Sequence, residues 1–526
     1  VVDSMKKPGS KGLKMAEELI DTEPLISENL LELARWISEY YACSLGQALD
    51  TILPHNFRSV KLREKVREEE AKIFPALIPS PQQKKILEPI QNNIKDKRFG
   101  TFLIHGVTDS GKTEVYLQAI AQAQEVGRQS IFLVPEISLT PQFVSIFEQR
   151  FGPRRISLWH SRLSRGERYR TWRSAYHGNI DIMIGARSAI FAPFPNLGLI
   201  IIDEEHDTSY KQEKRPLYHT REVAERRAEL ERATLVLGSA TPSLEAFHRA
   251  LAGLRPYRLL TLPERVYEKS LPSVEIVDMR EESGKRGDRG IFSQKLSRAI
   301  SDRLEKGEQI IIFLNRRGYS TFILCRECGF ALRCPNCSVS MVYHLDEKRV
   351  KCHYCNHHDE TPRFCPRCGS RRIHYFGTGT EKVEQVVRKM FPRAKVMRMD
   401  IDTMRYKHAA QEIFSAFRQQ KVDILVGTQL VAKGWDFPNV TLVGIISADT
   451  ALNLPDFRSA ERTFSLITQV AGRSGRGPRG GEVIVQTYNP DHYSIKMALT
   501  HNYRSFYDRE IEFRKELNYP PISNLI

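Results

Sequence analysis

The chain has 526 residues, enough for several domains, with 41% hydrophobic and 27% charged residues. No apolar run approaches the ~20 residues that span a membrane, and no apolar leader segment opens the sequence. Its 79 Lys and Arg against 63 Asp and Glu give a net charge of +16, which suits nucleic-acid phosphates or an acidic membrane surface equally.

Residues 1–56 read as helical, with Ser27 as an N-cap before "ENLLELARWISEYY" and Cys43 as a buried helix residue. Residues 57–77 form a charge-dense linker. From residue 78 the pattern alternates between strands and helices, which predicts an α/β fold with parallel sheets covered by helices on both faces. Strands are expected at "TFLIHG", "QSIFLVPE", "DIMIG", "LIIIDE" and "TLVLGS", making a first lobe over 78–255. Residues 256–290 read as a linker. A second lobe starts over 291–322 with "QIIIFLN" and resumes over 376–500 with "AKVMRMD", "DILVGT", "VTLVGIIS" and "EVIVQTY". A cysteine-rich insertion, 323–375, interrupts it, and 501–526 begins a further region. The chain opens at Val1 without a methionine and stops at "YPPISNLI", which predicts truncation at both ends.

"GVTDSGKT" fits the phosphate-binding loop G-x-x-x-x-G-K-[ST], in its expected place between a strand and a helix. Backbone N–H groups of Gly106, Val107, Thr108, Asp109, Ser110 and Gly111 would cradle the phosphates of ATP. Lys112 would reach the β- and γ-phosphates, and Thr113 would bind Mg²⁺. Asp109 is awkward, because a carboxylate in the loop repels phosphate unless it points to solvent. About ninety residues on, "LIIIDEEH" ends an apolar strand with Asp203, suited to Mg²⁺, and Glu204, suited to polarising the attacking water. In the second lobe, "QVAGRSGRG" offers Arg473 and Arg476 one helical turn apart, as candidates to stabilise charge on the γ-phosphoryl group.

Eight of the nine cysteines lie within forty-four residues as four C-x-x-C hooks. Such a cluster favours zinc over disulfides or redox dithiols, and a reducing, cytoplasmic setting. Only five residues, Gly329 to Arg333, separate the first two hooks, too few to wrap one ion comfortably, whereas fourteen separate the second from the third. A nested pairing follows: Cys325, Cys328, Cys365 and Cys368 around one Zn²⁺, and Cys334, Cys337, Cys352 and Cys355 around the other. The basic residues beside the hooks read equally as phosphate contacts and as solvated surface.

In this order, "GVTDSGKT", "LVPEISLTPQ", "IGARSAIFAP", "DEEH", "GSAT", "IFLNRRG", "GTQLVAKGWDFP" and "QVAGRSGR" resemble superfamily 2 helicases. With the four hooks and "PDFRSAER", the chain resembles the DEEH-box replication-restart DNA helicases, the primosomal protein N′ family. That resemblance covers about residues 78–500, and residues 1–56 look like the end of the family's N-terminal DNA-binding domain. It implies two tandem RecA-like lobes, a two-zinc insertion in lobe 2, and ATP-driven 3′→5′ unwinding of forked DNA in the bacterial nucleoid. Implied partners are single-stranded and forked DNA, a single-stranded-DNA-binding protein, and proteins that assemble the primosome and load the replicative helicase, with no membrane. By motif position, Gln469, Arg473 and Arg476 complete the ATP site from lobe 2. Gln82 takes the place of an adenine-sensing glutamine. Tyr210, Lys211, Tyr218, His219 and Arg221, in "YKQEKRPLYHTRE", would form the aromatic-rich loop that links DNA contact to hydrolysis, where they would stack on bases or hold phosphates. Trp435 replaces a histidine usual in the family, and the space between Pro54 and Ile78 is too short for a winged-helix domain. Two other readings stay open: a DNA-stimulated translocase that does not unwind, and a zinc-ribbon docking module with a weakened ATPase.

Overall fold

The structure is a computed structural model that describes residues 24–54, 74–135, 141–254, 256–266, 272–285, 290–315, 321–344, 347–376, 379–400, 402–403, 409–428, 437, 439–474 and 480–524. Arg476, most of the 57–77 linker, and all of "GTQLVAKGWDFP" except Gly427, Thr428 and Phe437 lie outside the described residues.

Lobe 1 is a seven-stranded parallel sheet of β1 (Gly100–Gly106), β2 (Gln129–Leu133), β3 (Ile156–Trp159), β4 (Ile182–Gly185), β5 (Leu197–Asp203), β6 (Thr234–Ser239) and β7 (Tyr257–Leu262). They lie in the order β3-β4-β2-β5-β6-β1-β7. Both faces are covered, so every residue of β2 is buried. Successive side chains feed opposite layers: Ile131 and Leu133 join one core cluster, and Phe132 joins the other.

Lobe 2 opens with β8 (Ser273–Asp278) and β9 (Gln309–Phe313). It is then interrupted by β10 (Thr321–Cys325), β11 (Val342–His344), β12 (Arg349–Lys351), β13 (His358–Glu360) and β14 (Ile373–Phe376), which form a sheet of their own. The lobe resumes with β15 (Val396–Met399), β16 (Ile424–Gly427), β17 (Val440–Ile445) and β18 (Glu482–Thr487), in the parallel order β15-β16-β9-β17-β18-β8. The 256–290 segment is therefore more than a linker, since it supplies an edge strand to each sheet. Both edge strands have partly exposed positions, so "YRLLTL" and "SVEIVD" lack the continuous apolar run of a central strand.

Ser27 caps the helix Glu28–Tyr40 as expected, its side chain accepting the Leu30 N–H. With the helix Leu45–Ile52, it buries Leu30, Leu33, Ile37 and Leu49 in the cluster that also holds Ile200 and Ile202 of lobe 1. Cys43 is not inside a helix. It sits half-buried in the turn between these two helices, its Sγ 3.8 Å from the Ile37 carbonyl. The helix Tyr503–Glu516 packs against both lobes: the Tyr503 hydroxyl donates to the Pro242 carbonyl at 2.6 Å, and Phe506 stacks on Phe464. Among the described residues, no helix is long and apolar enough to cross a membrane.

Candidate functional site

Strand β1 delivers the phosphate-loop sequence to the N-terminus of the helix Lys112–Glu125. Lys112 Nζ donates to the carbonyls of Gly106 and Val107, at 2.8 and 3.2 Å, so the ammonium is folded back over the loop. Ser110 Oγ is buried and has no hydrogen-bond partner among the described residues. Asp109 is exposed and takes a positive φ of 63°. Non-glycine residues adopt that conformation at a cost, and glycine does not. Replacing Asp109 by Gly removes both that strain and the carboxylate. Nucleotide titration of Asp109→Gly is expected to show ATP binding roughly threefold to tenfold tighter, after screening. Unchanged affinity would mean that the carboxylate does not detune the loop.

Gln82 is half-buried and bonds to Glu264. Its neighbour Gln83 touches the loop itself: it completes a capping box with Ser80 and donates to the Gly111 carbonyl at 3.2 Å. That S-x-x-Q spacing was the sequence signal for Gln83.

The end of β5 places the acidic turn beside the loop. Tyr116, one helical turn beyond Lys112, donates its hydroxyl to Asp203 Oδ1 at 3.0 Å. Loss of solvent, then the neighbouring Glu204 carboxylate, pushes the Asp203 carboxyl up to about 7, against the pull of Lys112 and Tyr116. Glu204 has a positive φ of 50°, and its Oε2 is buried without a hydrogen bond among the described residues. Two orphaned polar groups and a pair of crowded carboxylates suit a polyphosphate and a divalent cation arriving together.

The other two letters of DEEH face inward. Glu205 is 1% exposed and accepts from Ser243 N and Ser243 Oγ, the latter at 3.0 Å, with Arg221 Nη1 3.4 Å away. His206 hydrogen-bonds through Nδ1 to Ser239 Oγ at 2.7 Å, and its Nε2 meets the side-chain amide of Gln469 from lobe 2. His206 thus joins strand β6 to the helix Ser459–Ala471, a role that sequence reading missed. Its only signal was its position, three residues after Asp203.

That helix ends against the phosphate loop. A Cβ on Gly472 would lie 2.7 Å from Thr108 Cγ2 and 2.8 Å from its Oγ1, so glycine leaves the room in which the Thr108 side chain packs against this turn. Arg473 follows in the same turn, its N–H bonded to the Val470 carbonyl at 3.1 Å. A polar seam holds the lobes together here. Thr241 Oγ1 and Ser465 Oγ are 2.6 Å apart, the Leu244 N–H donates to Glu461 at 3.0 Å, and Arg458 pairs with Glu245 at 2.7 Å. Arg514 of the last helix secures Glu461 at 2.9 Å and Glu510 at 2.8 Å.

The loop after DEEH differs from the expectation of a base-stacking platform. Tyr210 and Tyr218 are each 1% exposed. Tyr210 donates its hydroxyl to the Asp203 carbonyl at 2.7 Å, and Tyr218 lies edge-on to Phe191. Arg221 is buried among Glu205, Glu222 and Ser243, so its charge is already answered. Burial, then the charge of Arg221, pushes the His219 imidazole down to about 3, leaving it neutral. Lys211 remains exposed, as do Glu213, Lys214 and Arg215 at the tip. Apolar packing took the aromatic rings because Phe191 and the core of lobe 1 lie directly beneath them.

The eight hook cysteines form the two nested quartets that their spacing predicts, the sulfurs of each lying within 4.8 Å of one another. Cys325 and Cys368 are 3.7 Å apart, Cys328 and Cys365 3.7 Å, and Cys334 and Cys355 3.6 Å. Zinc–sulfur bonds of about 2.3 Å in a tetrahedron put neighbouring sulfurs about 3.8 Å apart, so the quartets fit zinc. Each hook closes in the same way. The residue after its second cysteine, Gly329, Ser338, Asn356 or Gly369, has a positive φ and donates its N–H to the first cysteine's carbonyl. Tyr354, inside the third hook, accepts the Phe457 N–H at 3.3 Å, and Tyr519 donates to the Cys337 carbonyl at 3.0 Å. The insertion is thereby seated on the loop that precedes the helix Ser459–Ala471.

Four family models match the chain: a DEAD/DEAH box helicase over residues 80–250, a 3′DNA-binding domain over 1–54, the PriA DNA helicase Cys-rich region over 334–359, and a helicase conserved C-terminal domain over 367–478. The chain is 52% identical to the replication restart protein PriA of Bacillus subtilis, over 86% of this chain and 56% of that protein. It is 48% identical to the Synechocystis protein of the same name, over 92% of this chain and 59% of that one. It is 38% identical to the Chlamydia pneumoniae protein of that name, over 97% of this chain and 78% of that one. The chain thus spans somewhat more than half the length of the first two relatives.

Proposed function

The chain belongs to the PriA family of replication restart proteins, and on that premise we propose that it is an ATP-dependent DNA helicase. It would hydrolyse ATP between its two lobes, move 3′→5′ along single-stranded DNA and open forked duplexes. The observation that carries this reading is the seam between the lobes, where Gln469 meets His206 and Gly472 lies against Thr108. Any change in the phosphate loop or the acidic turn is felt by lobe 2 directly, as a motor built from two lobes requires.

In this reading Lys112 leaves the loop carbonyls to bind the β- and γ-phosphates, helped by backbone N–H groups of the loop. Thr113 and Asp203 would hold Mg²⁺, which would offset the charge of the phosphates. Glu204 orients the attacking water, and Arg473 and Arg476 meet the γ-phosphoryl charge from lobe 2. The Tyr210 hydroxyl grips the carbonyl of Asp203, so DNA pressing on the exposed Lys211, Lys214 and Arg215 would act on the acidic turn through one hydrogen bond. The nested quartets would each hold one Zn²⁺. Forked DNA, a single-stranded-DNA-binding protein and helicase-loading proteins are the partners this reading implies.

A forked-duplex unwinding assay with ATP, run beside Lys112→Ala, tests it. Unwinding by the parent chain and its loss in the variant, with DNA binding retained, is the expected result. DNA-stimulated hydrolysis without unwinding would instead select the translocase, and DNA binding without hydrolysis the docking module.

A further inference from the structure

Tyr116 is 1% exposed, in an otherwise apolar layer with Val115, Ile120 and Phe132. A phenylalanine would fill that space equally well, and burying an unpaired hydroxyl is unfavourable. The hydroxyl is not unpaired: it donates to Asp203 Oδ1 at 3.0 Å across 87 residues of chain. Space for it exists because residue 238, at the adjacent point of β6, is glycine; a Cβ there would overlap the Tyr116 hydroxyl. Asp203 is held from the other side as well, by the Tyr210 hydroxyl on its carbonyl at 2.7 Å.

We propose that Tyr116 is a positioning residue for the Asp203 carboxylate. By occupying Oδ1 it fixes the carboxylate plane, and Gly238 is the space that this contact requires. The arrangement ties the helix that carries Lys112 and Thr113 rigidly to the acidic turn, so the two halves of the nucleotide site keep their spacing without nucleotide. This inference rests on the proposed reading of Asp203 as a magnesium ligand. It adds a residue that neither the phosphate-loop pattern nor DEEH contains.

The test uses the full chain, Tyr116→Phe and, independently, Gly238→Ala, which displaces the hydroxyl without altering Tyr116. A fluorescent ATP analogue is titrated at a series of Mg²⁺ concentrations and in EDTA, and the thermal midpoint is recorded without nucleotide. For Tyr116→Phe the expected outcome is an unchanged affinity in EDTA and a half-saturating Mg²⁺ concentration raised roughly fivefold to tenfold. Its hydrolysis should lose kcat more than KM for ATP changes at saturating Mg²⁺. Gly238→Ala should reproduce the Mg²⁺ shift even if Tyr116→Phe lowers the thermal midpoint. Parent-like Mg²⁺ dependence in both variants would overturn the proposal while leaving the functional reading intact. A parent chain whose ATP binding ignores Mg²⁺ would overturn that reading first.

Discussion

Stripping zinc from the chain with a strong chelator is expected to unfold the insertion over residues 321–376 while leaving the phosphate loop able to bind nucleotide. Phe322, Leu324 and Ala331 are buried against lobe 2, and the cluster that belongs to the insertion alone is small: among the described residues Ile323, Val339, Met341 and Val350 are its buried apolar side chains besides cysteines. At about 2 kcal/mol each, these supply roughly 8 kcal/mol, whereas one structural zinc contributes about 10–16. Metal therefore outweighs the apolar burial of that cluster. Released zinc should approach two ions per chain, and limited proteolysis should open new cleavage sites within 321–376. Lobe 1 holds the phosphate loop and contributes no sulfur, so nucleotide affinity should change less than twofold. Unwinding should fall further than hydrolysis, because Tyr354 and Tyr519 lose their seats against Phe457 and Cys337. A chelated chain with an unaltered cleavage pattern would show that the insertion folds without metal.

The second large effect is expected at Glu204. Glu204→Gln keeps the shape of the side chain but removes the charge that would orient and polarise water. General-base contributions are about 10²–10⁴-fold, or roughly 3–5 kcal/mol of barrier, so DNA-stimulated hydrolysis should fall by at least two orders of magnitude. ATP binding should hold or tighten, because one of two crowded carboxylates near the phosphates becomes neutral. Hydrolysis within about threefold of the parent would move the base elsewhere in the turn. Glu205 is a poor substitute, since Ser243 and Arg221 already use its oxygens.

The residues whose chemistry depends on neighbours in the chain were legible from sequence. Gly106 to Thr113 form a loop because a strand precedes them and a helix follows. The cysteines pair as they do because chain length between hooks limits what one ion can gather. Ser27 caps its helix because the cap needs only the next three residues.

Reading failed where packing decided. Tyr210 and Tyr218 carry the composition of a stacking surface, yet their rings point into the lobe and their hydroxyl and edge contacts serve Asp203 and Phe191. Arg221 looked like a phosphate contact and is instead a buried counter-ion for Glu205. The segment 256–290 lacked a continuous apolar run because edge strands need only one neighbour, and so it passed for a linker.

By itself, then, the sequence determined two lobes, a phosphate loop, an acidic turn and two four-cysteine metal sites, since each depends on local spacing and on the chemistry of a few side chains. Only the tertiary structure decided that Tyr116 holds Asp203, that His206 meets Gln469 across 263 residues, and that the loop after DEEH hides its aromatics. Those outcomes depend on which surfaces come together after the chain has folded, and no local pattern carries that information.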